Sequence, residues 1–238
     1  DSLKMEKELT EIMFSSRVDA LIAACTLFTT DFSHFDKLIE DGKPVIFYDR
    51  APMAVSKAAV IKGDDFNGGY LAANHLIDAG CKRIAHISGP LTSNLYRDRS
   101  AGFTKAMEES GLQLNDHWVF HHELTAENAL ADIAALFEAE VVPDGICTDN
   151  DSSAIAVLQF AKEHGIKVPQ DLKIVGYSND PRTAIITPSI TTIEQFPKEV
   201  GHAIVKVLLD LLKSKDEGLD VVSPAVIVPV QLIKRMST

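Results

Sequence analysis

RIAHISGPLTSNLYRDRSAGF, residues Arg83 to Phe103, joins a strand to a helix through a polar loop. Arg83-Ile84-Ala85-His86-Ile87-Ser88 reads as a short buried strand with Ile and Ala at its heart. Gly89-Pro90 ends it, because Gly frees the backbone and Pro withholds a ladder donor. After a polar loop the chain resumes at Arg97-Asp98-Arg99-Ser100-Ala101-Gly102-Phe103 with helical spacing to Glu109. A strand, a polar loop and a helix start form the unit with which open α/β sheets hold ligands, at the carboxyl ends of their strands. Arg97 and Arg99 stand at that point. They are either solvated residues of a first helical turn or planar forks aimed at hydroxyls or carboxylates, a geometry Lys does not offer.

The unit repeats along the chain. Leu3–Ser15 has a helical apolar stripe of Leu3, Met5, Leu9, Ile12 and Met13. The strand Val18–Ala24, a short helix over TTDFSHFDKLIEDG and the strand Pro44–Tyr48 follow, the last ending in Asp49-Arg50. Ala58–Ile61 reads as a short strand and Asp64–Gly69 as the capped start of a helix to Ala79. Beyond Phe103 come a strand at Trp118–His121, a helix at Ala126–Ala139 and a strand at Gly145–Thr148 ending in Asp149-Asn150-Asp151. A helix at Ser152–His164 precedes the strand Leu172–Gly176, which leads to Ser178-Asn179-Asp180. Thr191–Gln195 is a short strand, Pro197 opens a long helix to Leu212, and a charged turn, SKDEGLD, leads to two apolar runs split by Pro229. Alternating short strands and helices predict an α/β fold of parallel sheets flanked by helices. The chain divides accordingly into an N-terminal lobe over 1–111, a C-terminal lobe over 112–192, and a crossing segment, long helix and terminal strands over 193–238.

Composition narrows the function. With 238 residues, 46% of them hydrophobic, the chain suits one large α/β domain or two lobes of about 100–150 residues each, with a real core. No apolar run approaches the ~18 residues of a membrane span. Cys25, Cys81 and Cys147 are odd in number, scattered and set in apolar segments, which predicts reduced thiols in a cytoplasmic protein. A net charge of −11 argues that this part does not itself coat nucleic acid. The chain starts at Asp1 within helical sequence, so further residues are expected upstream.

Enzyme motifs are missing from the sequence: there is no GxGxxG, no GxxxxGK followed by Ser or Thr, no GxSxG and no HExxH. Gly176-Tyr177-Ser178-Asn179-Asp180 lacks the second glycine of a nucleophile elbow. His117, His121 and His122 are expected on the surface rather than on a metal, since a strand points His121 and His122 to opposite faces. The expectation is therefore a binding protein with no cofactor and no metal. Four strand ends carry polar clusters: Asp49-Arg50, Arg97/Arg99, Asp149-Asn150-Asp151 and Ser178-Asn179-Asp180. Each alone also reads as a turn or cap, which Asp, Asn and Ser favour. Together they predict a crevice for a hydroxyl-rich ligand.

The segments DDFNGGYLAANHLIDAGCKRIAHISGP, RDRSAGF, DNDSSAIAVLQFAKEHGIKVPQDLKIVGYSND, TPSITTIEQFPKEVGHAIVKVLLDLL and PVQLIKRMST resemble the effector-binding core of the lac repressor type (LacI/GalR) of bacterial transcription regulators. The resemblance implies two Rossmann-like lobes of the periplasmic-binding-protein kind, three crossing segments and an effector in the cleft. It implies effector contacts at Arg99, two residues before Ala-Gly-Phe, at Asp49, Asn150 and Gln195, and at Ser178, where the family normally has an acidic residue. Arg50 and Asp151 are added beside their neighbours. It further implies a sugar or sugar derivative as effector, a homodimer formed through apolar positions on the first helix and on Ser152–His164 such as Ile155, and operator DNA bound by a helix-turn-helix outside this chain. A periplasmic sugar-binding protein of a transport system is the other reading. The scattered cysteines and the closing LIKR-x-ST argue against it.

Overall fold

The structure is a computed structural model that describes residues 2–52, 57–218 and 223–238. The chain folds into two compact units. The first takes Asp1–Asp64, Thr92–Leu95 and Phe196–Pro229; the second takes Asp65–Leu91, Tyr96–Gln195 and Val230–Thr238.

The first unit opens with α1 (Leu3–Ser15), capped by Ser2, whose hydroxyl accepts from the Met5 amide. The helix buries only Thr10 and leaves Met5, Leu9 and Ile12 about half exposed or more, so its apolar stripe is not spent on this unit's core. β1 (Leu21–Ala23), α2 (Asp36–Glu40), β2 (Val45–Tyr48) and β3 (Ala59–Gly63) follow. A single 3-10 turn at Ser33–Phe35 leads into α2, so the helix expected over TTDFSHFDKLIEDG is shorter than its sequence suggests.

The second unit holds α3 (Asp65–Asp78), β4 (Ile84–Ser88), α4 (Asn94–Glu109, from Tyr96 onward), β5 (Val119–His121), α5 (Ala126–Phe137), β6 (Gly145–Thr148), α6 (Asp151–Glu163), β7 (Lys173–Tyr177), α7 (Pro181–Ile185) and β8 (Thr191–Glu194). The chain then returns to the first unit for α8 (Pro197–Asp216) and β9 (Ala225–Val228), and ends in the second with β10 (Gln231–Ile233). Pro197 stands at the first turn of α8 as expected, behind Phe196 in the left-handed region. The helix runs four residues past Leu212, into what the sequence suggested was a charged turn. The end of that turn, residues 219–220, and most of the loop after Pro52 lie outside the described residues.

The first unit's sheet has the order β1-β2-β3-β9 with every neighbouring pair parallel. One cluster, with Phe35, Leu38, Val45 and Phe47, and another, with Ile46, Ile61, Ile204, Val207 and Leu211, supply its core. The second unit's sheet has the order β10-β8-β7-β6-β4-β5, parallel except for the β10–β8 edge. Its central strands are buried on both faces, which is why they read as continuous apolar runs. Ile146 and Ile174 are fully buried, each worth roughly 1.5–3 kcal/mol against exposure.

The parallel sheets flanked by helices are as the sequence implied. The division between units does not fall between residues 111 and 112, since both belong to the second unit. β4 pairs with β5 and β6, so the strand Ile84–Ser88 shares a sheet with strands that follow it rather than with β1 and β2. The sequence showed where strands lie, but not which neighbours they hydrogen-bond. Pro229 separates β9 from β10, and these two runs join different sheets. Among the described residues, no helix is long and apolar enough to cross a membrane.

Candidate functional site

β4, β6, β7 and β8 are neighbours and parallel, so their carboxyl ends, near Ser88, Thr148, Tyr177 and Glu194, share one edge of the second sheet. Polar residues gather at that edge. Arg99, from α4, is 4% exposed and reaches into it. Its Nε donates to Asp65 Oδ1 at 2.8 Å and one terminal nitrogen donates to the Asp149 carbonyl at 2.8 Å. Its guanidinium carbon lies 3.6 Å from the centre of the Tyr177 ring. The Tyr177 hydroxyl also reaches Asp65 Oδ1, at 3.3 Å. Of the two arginines open to either reading, Arg99 is thus the buried fork, while Arg97 is partly exposed beside Asp98.

Glycines make this seating possible. A Cβ on Gly102 would collide with the Phe66 carbonyl, and one on Gly69 with the Arg99 carbonyl. α3 and α4 therefore meet backbone against backbone, which brings Arg99 down to Asp65. Gly68 leaves room for the Tyr177 ring in the same way.

Beneath Arg99, the Asp149 carboxylate accepts from the Ser88 hydroxyl at 2.6 Å and lies 3.0 Å from His86 Nε2. Burial alone would push its carboxyl up. His86, Arg99 and the Ser88 hydroxyl outweigh that and hold it below the usual carboxylate range. Asp151 differs. It accepts from Thr192 Oγ1 and from the Asp180 amide, each at 2.7 Å, yet burial dominates and raises it. Burial also pushes the Tyr177 hydroxyl far up, leaving it a neutral donor.

Five expected contact residues belong to this unit. Arg99 touches the backbone of Asp149, next to Asn150, and Asp151 holds the Asp180 amide of the loop carrying Ser178. Asn150 is the cap of α6: its side chain accepts from the Ser153 amide and donates to the Leu124 carbonyl. The capping role left open for Asp149 and Asp151 thus falls to the residue between them. Ser178 is exposed with φ of 112°, its amide donating to the Ile193 carbonyl. Gln195 is half-buried just past β8.

Asp49 and Arg50 lie in the first unit, on the turn after β2. Asp49 has φ of 57°, and Asn94 clamps the turn by donating to the Asp49 carbonyl and accepting from the Ala51 amide. The four polar clusters are therefore three in one unit and one in the other.

Asp65, Tyr177, His86 and Asn94 went unread as site residues in the sequence. A buried Arg calls for an acceptor, but nothing local ties Arg99 to an aspartate 34 positions earlier. His86 gave the better signal, as a titratable group in the middle of an apolar strand. Among the described residues, His86, Cys147 and Asp149 bring three metal-type donor atoms within 4.8 Å of one another. His86 Nε2 lies 3.0 Å from Asp149 Oδ1, so two of the three already pair with each other. Of the three histidines expected on the surface, His122 lies 2.7 Å from Asp132 Oδ2.

Residues 73–238 match the family described as periplasmic binding protein-like domain. A curated relative, the HTH-type transcriptional repressor PurR of Haemophilus influenzae (strain PittEE), is 33% identical over 239 residues, covering 99% of this chain and 69% of that protein. The chain belongs to the LacI/GalR family. It corresponds to the effector-binding core of such a regulator. Two solved structures share the LacI/GalR fold across the whole chain. The transcriptional regulator CelR–cellobiose complex has a TM-score of 0.88 at 23% identity, with 71% of its own chain covered. A regulatory protein of the LacI family from Chloroflexus aggregans has a TM-score of 0.87 at 24% identity, with 83% covered.

Proposed function

We propose that this LacI/GalR core senses a sugar or sugar derivative and passes its binding to operator DNA held by a helix-turn-helix outside this chain. The observation that carries the reading is the edge of the second sheet, where Arg99, Asp65 and Asp149 form a fixed, hydrogen-bonded floor. Ligand contacts are assigned to Asp49 and Arg50 in the first unit and to Arg99, Asn150, Asp151, Ser178 and Gln195 in the second. Carboxylates, two amides and a hydroxyl suit sugar hydroxyls, which both donate and accept. The cellobiose carried by the CelR neighbour supports this ligand class. Relatives that are repressors favour regulation over transport and over turnover, and a repressor works in the cytoplasm.

The ligand acts by binding one state of the regulator better than another, which changes operator affinity by the same coupling free energy. The test is operator binding by the full-length protein with and without each metabolite the core binds. Operator affinity that ignores every one of them would refute the switching role.

A homodimer is part of the proposal. The half-exposed Met5, Leu9 and Ile12 of α1 supply an apolar face. Ile155 of α6, partly buried against its own unit's core, remains the second position assigned to the interface. Leu9→Asp is expected to shift the sedimenting mass toward the monomer; an unchanged mass would remove α1 from the interface.

A further inference from the structure

The loop after β7 has two non-glycine residues in the left-handed region, Ser178 at φ of 112° and Asn179 at φ of 51°. Asn tolerates that region readily, but a serine persists there only where its surroundings hold it. Here the fastening comes from three side chains remote in sequence. The Asn179 amide is held at each end: its Nδ2 donates to Glu194 Oε2 at 2.6 Å, and its Oδ1 accepts from Arg235 Nη2. The other terminal nitrogen of Arg235 donates to Thr183 Oγ1 at 3.0 Å and to the Ile190 carbonyl at 2.8 Å. The fork of Arg235 thus grips both ends of the segment between β7 and β8. Thr192 Oγ1 accepts from the Asn179 backbone N–H, completing the enclosure.

Asn179 follows Ser178, and Glu194 precedes Gln195. The two assigned ligand contacts are therefore the chain neighbours of two residues bonded to each other. We infer that Glu194, Asn179 and Arg235 form a positioning device that fixes Ser178 and Gln195 in register before ligand arrives. The device deepens the proposed function, since it matters for binding only if Ser178 and Gln195 touch the effector. Arg235 is the decisive member, because a planar fork reaches several acceptors at once and an ammonium does not.

The rest of the C-terminal tail has separate anchors, which makes the device separable from simple tail docking. The Ile174 amide donates to the Ser237 carbonyl, and the Met236 amide donates to the Ser189 carbonyl. A device acting on the loop predicts local loosening when Arg235 is changed, with these two amides undisturbed.

The experiment is residue-resolved hydrogen–deuterium exchange on the ligand-free protein, comparing wild type with Arg235→Gln, Arg235→Lys and Glu194→Gln. Arg235→Gln is expected to speed exchange at the Asn179 and Asp180 amides at least tenfold while Ile174 and Met236 keep their protection. Arg235→Lys should restore only part of that protection. Glu194→Gln, which leaves the tail intact and guards against a poorly folding Arg235 variant, should loosen the same two amides by a smaller factor. Unchanged exchange at Asn179 and Asp180, or equal acceleration at Ile174 and Met236, would overturn the inference. No ligand enters this experiment, so failure of every sugar to bind would refute the proposed function without touching the exchange result.

Discussion

Arg99 and Tyr177 share one carboxylate oxygen: the guanidinium stacks 3.6 Å from the ring centre, and Asp65 Oδ1 accepts from both side chains. The Arg99 and Asp65 side chains are only 4% and 1% exposed, so neither charge is served by bulk water. Removing one partner strands the other, at a cost of about 3–5 kcal/mol. Arg99→Ala and Asp65→Ala should each lower the stability measured by urea denaturation by that amount. The double variant should lose less than the sum of the two. A loss under about 1 kcal/mol in either single variant would show that the pair is not closed off from solvent.

Gly102 lets α4 approach α3. Gly102→Ala places a methyl against the Phe66 carbonyl, a backbone atom that cannot rotate away. Overpacking of this kind costs about 1–3 kcal/mol, and the shift would also carry Arg99 off Asp65. Urea denaturation checks the stability loss. A variant as stable as wild type would mean that the two helices slide apart freely.

Asp149 and Asp151 are separated by one residue and are displaced in opposite directions. Burial pushes both up, but His86, Arg99 and Ser88 overcome it at Asp149 and hold that carboxyl low. The unfolded value is about 3.9 for each. Asp149, lowered on folding, contributes stability that is present above about pH 4 and lost as pH falls through its folded value. Asp151, raised on folding, contributes stability that is present below about pH 4 and lost as pH rises through its folded value. Carboxyl-carbon NMR titration, assigned with Asp149→Asn and Asp151→Asn, should find the Asp149 midpoint below the ordinary aspartate value and the Asp151 midpoint above it. Coincident midpoints would contradict this account of the site's electrostatics.

The order of elements was legible in the sequence because short buried strands and amphipathic helices have distinct periods. α1 falls on the same residues in sequence and structure, and β4 differs by one. Strand partnership was not legible, since Ile84–Ser88 carries nothing that tells β6 from β2 as its neighbour. The same limit applies to the site. Arg99 could be marked from its place before Ala-Gly-Phe, but Asp65 and Tyr177 are brought to it only by folding. α7 went unread because five residues opening on Pro181 are too few to show a helical stripe.

Burial keeps the three thiols out of reach. It raises Cys25 to about 12, with Glu6 adding to the effect, and Cys81 to about 11; Cys147 lies well above its ordinary value. At pH 8 the folded protein should therefore leave all three unreacted with a disulfide reagent over minutes, and release all three in urea. Rapid labelling of any one in the native protein would place that thiol at the surface.

Sugar binding through Arg99 is the proposal on which the sensing role depends. A thermal-shift screen against sugars, sugar phosphates and purines tests it most directly, followed by titration calorimetry of folded Arg99→Lys with any compound that binds. A ligand at a hundredfold excess over its Kd adds about 2.7 kcal/mol, on the order of 5–10 °C in Tm at roughly 2–4 °C per kcal/mol for a chain of this size. A sugar or sugar derivative is expected to produce this shift, and Arg99→Lys to weaken its binding at least tenfold. A purine shift with no sugar shift, or a sugar that binds Arg99→Lys as tightly as wild type, would contradict it.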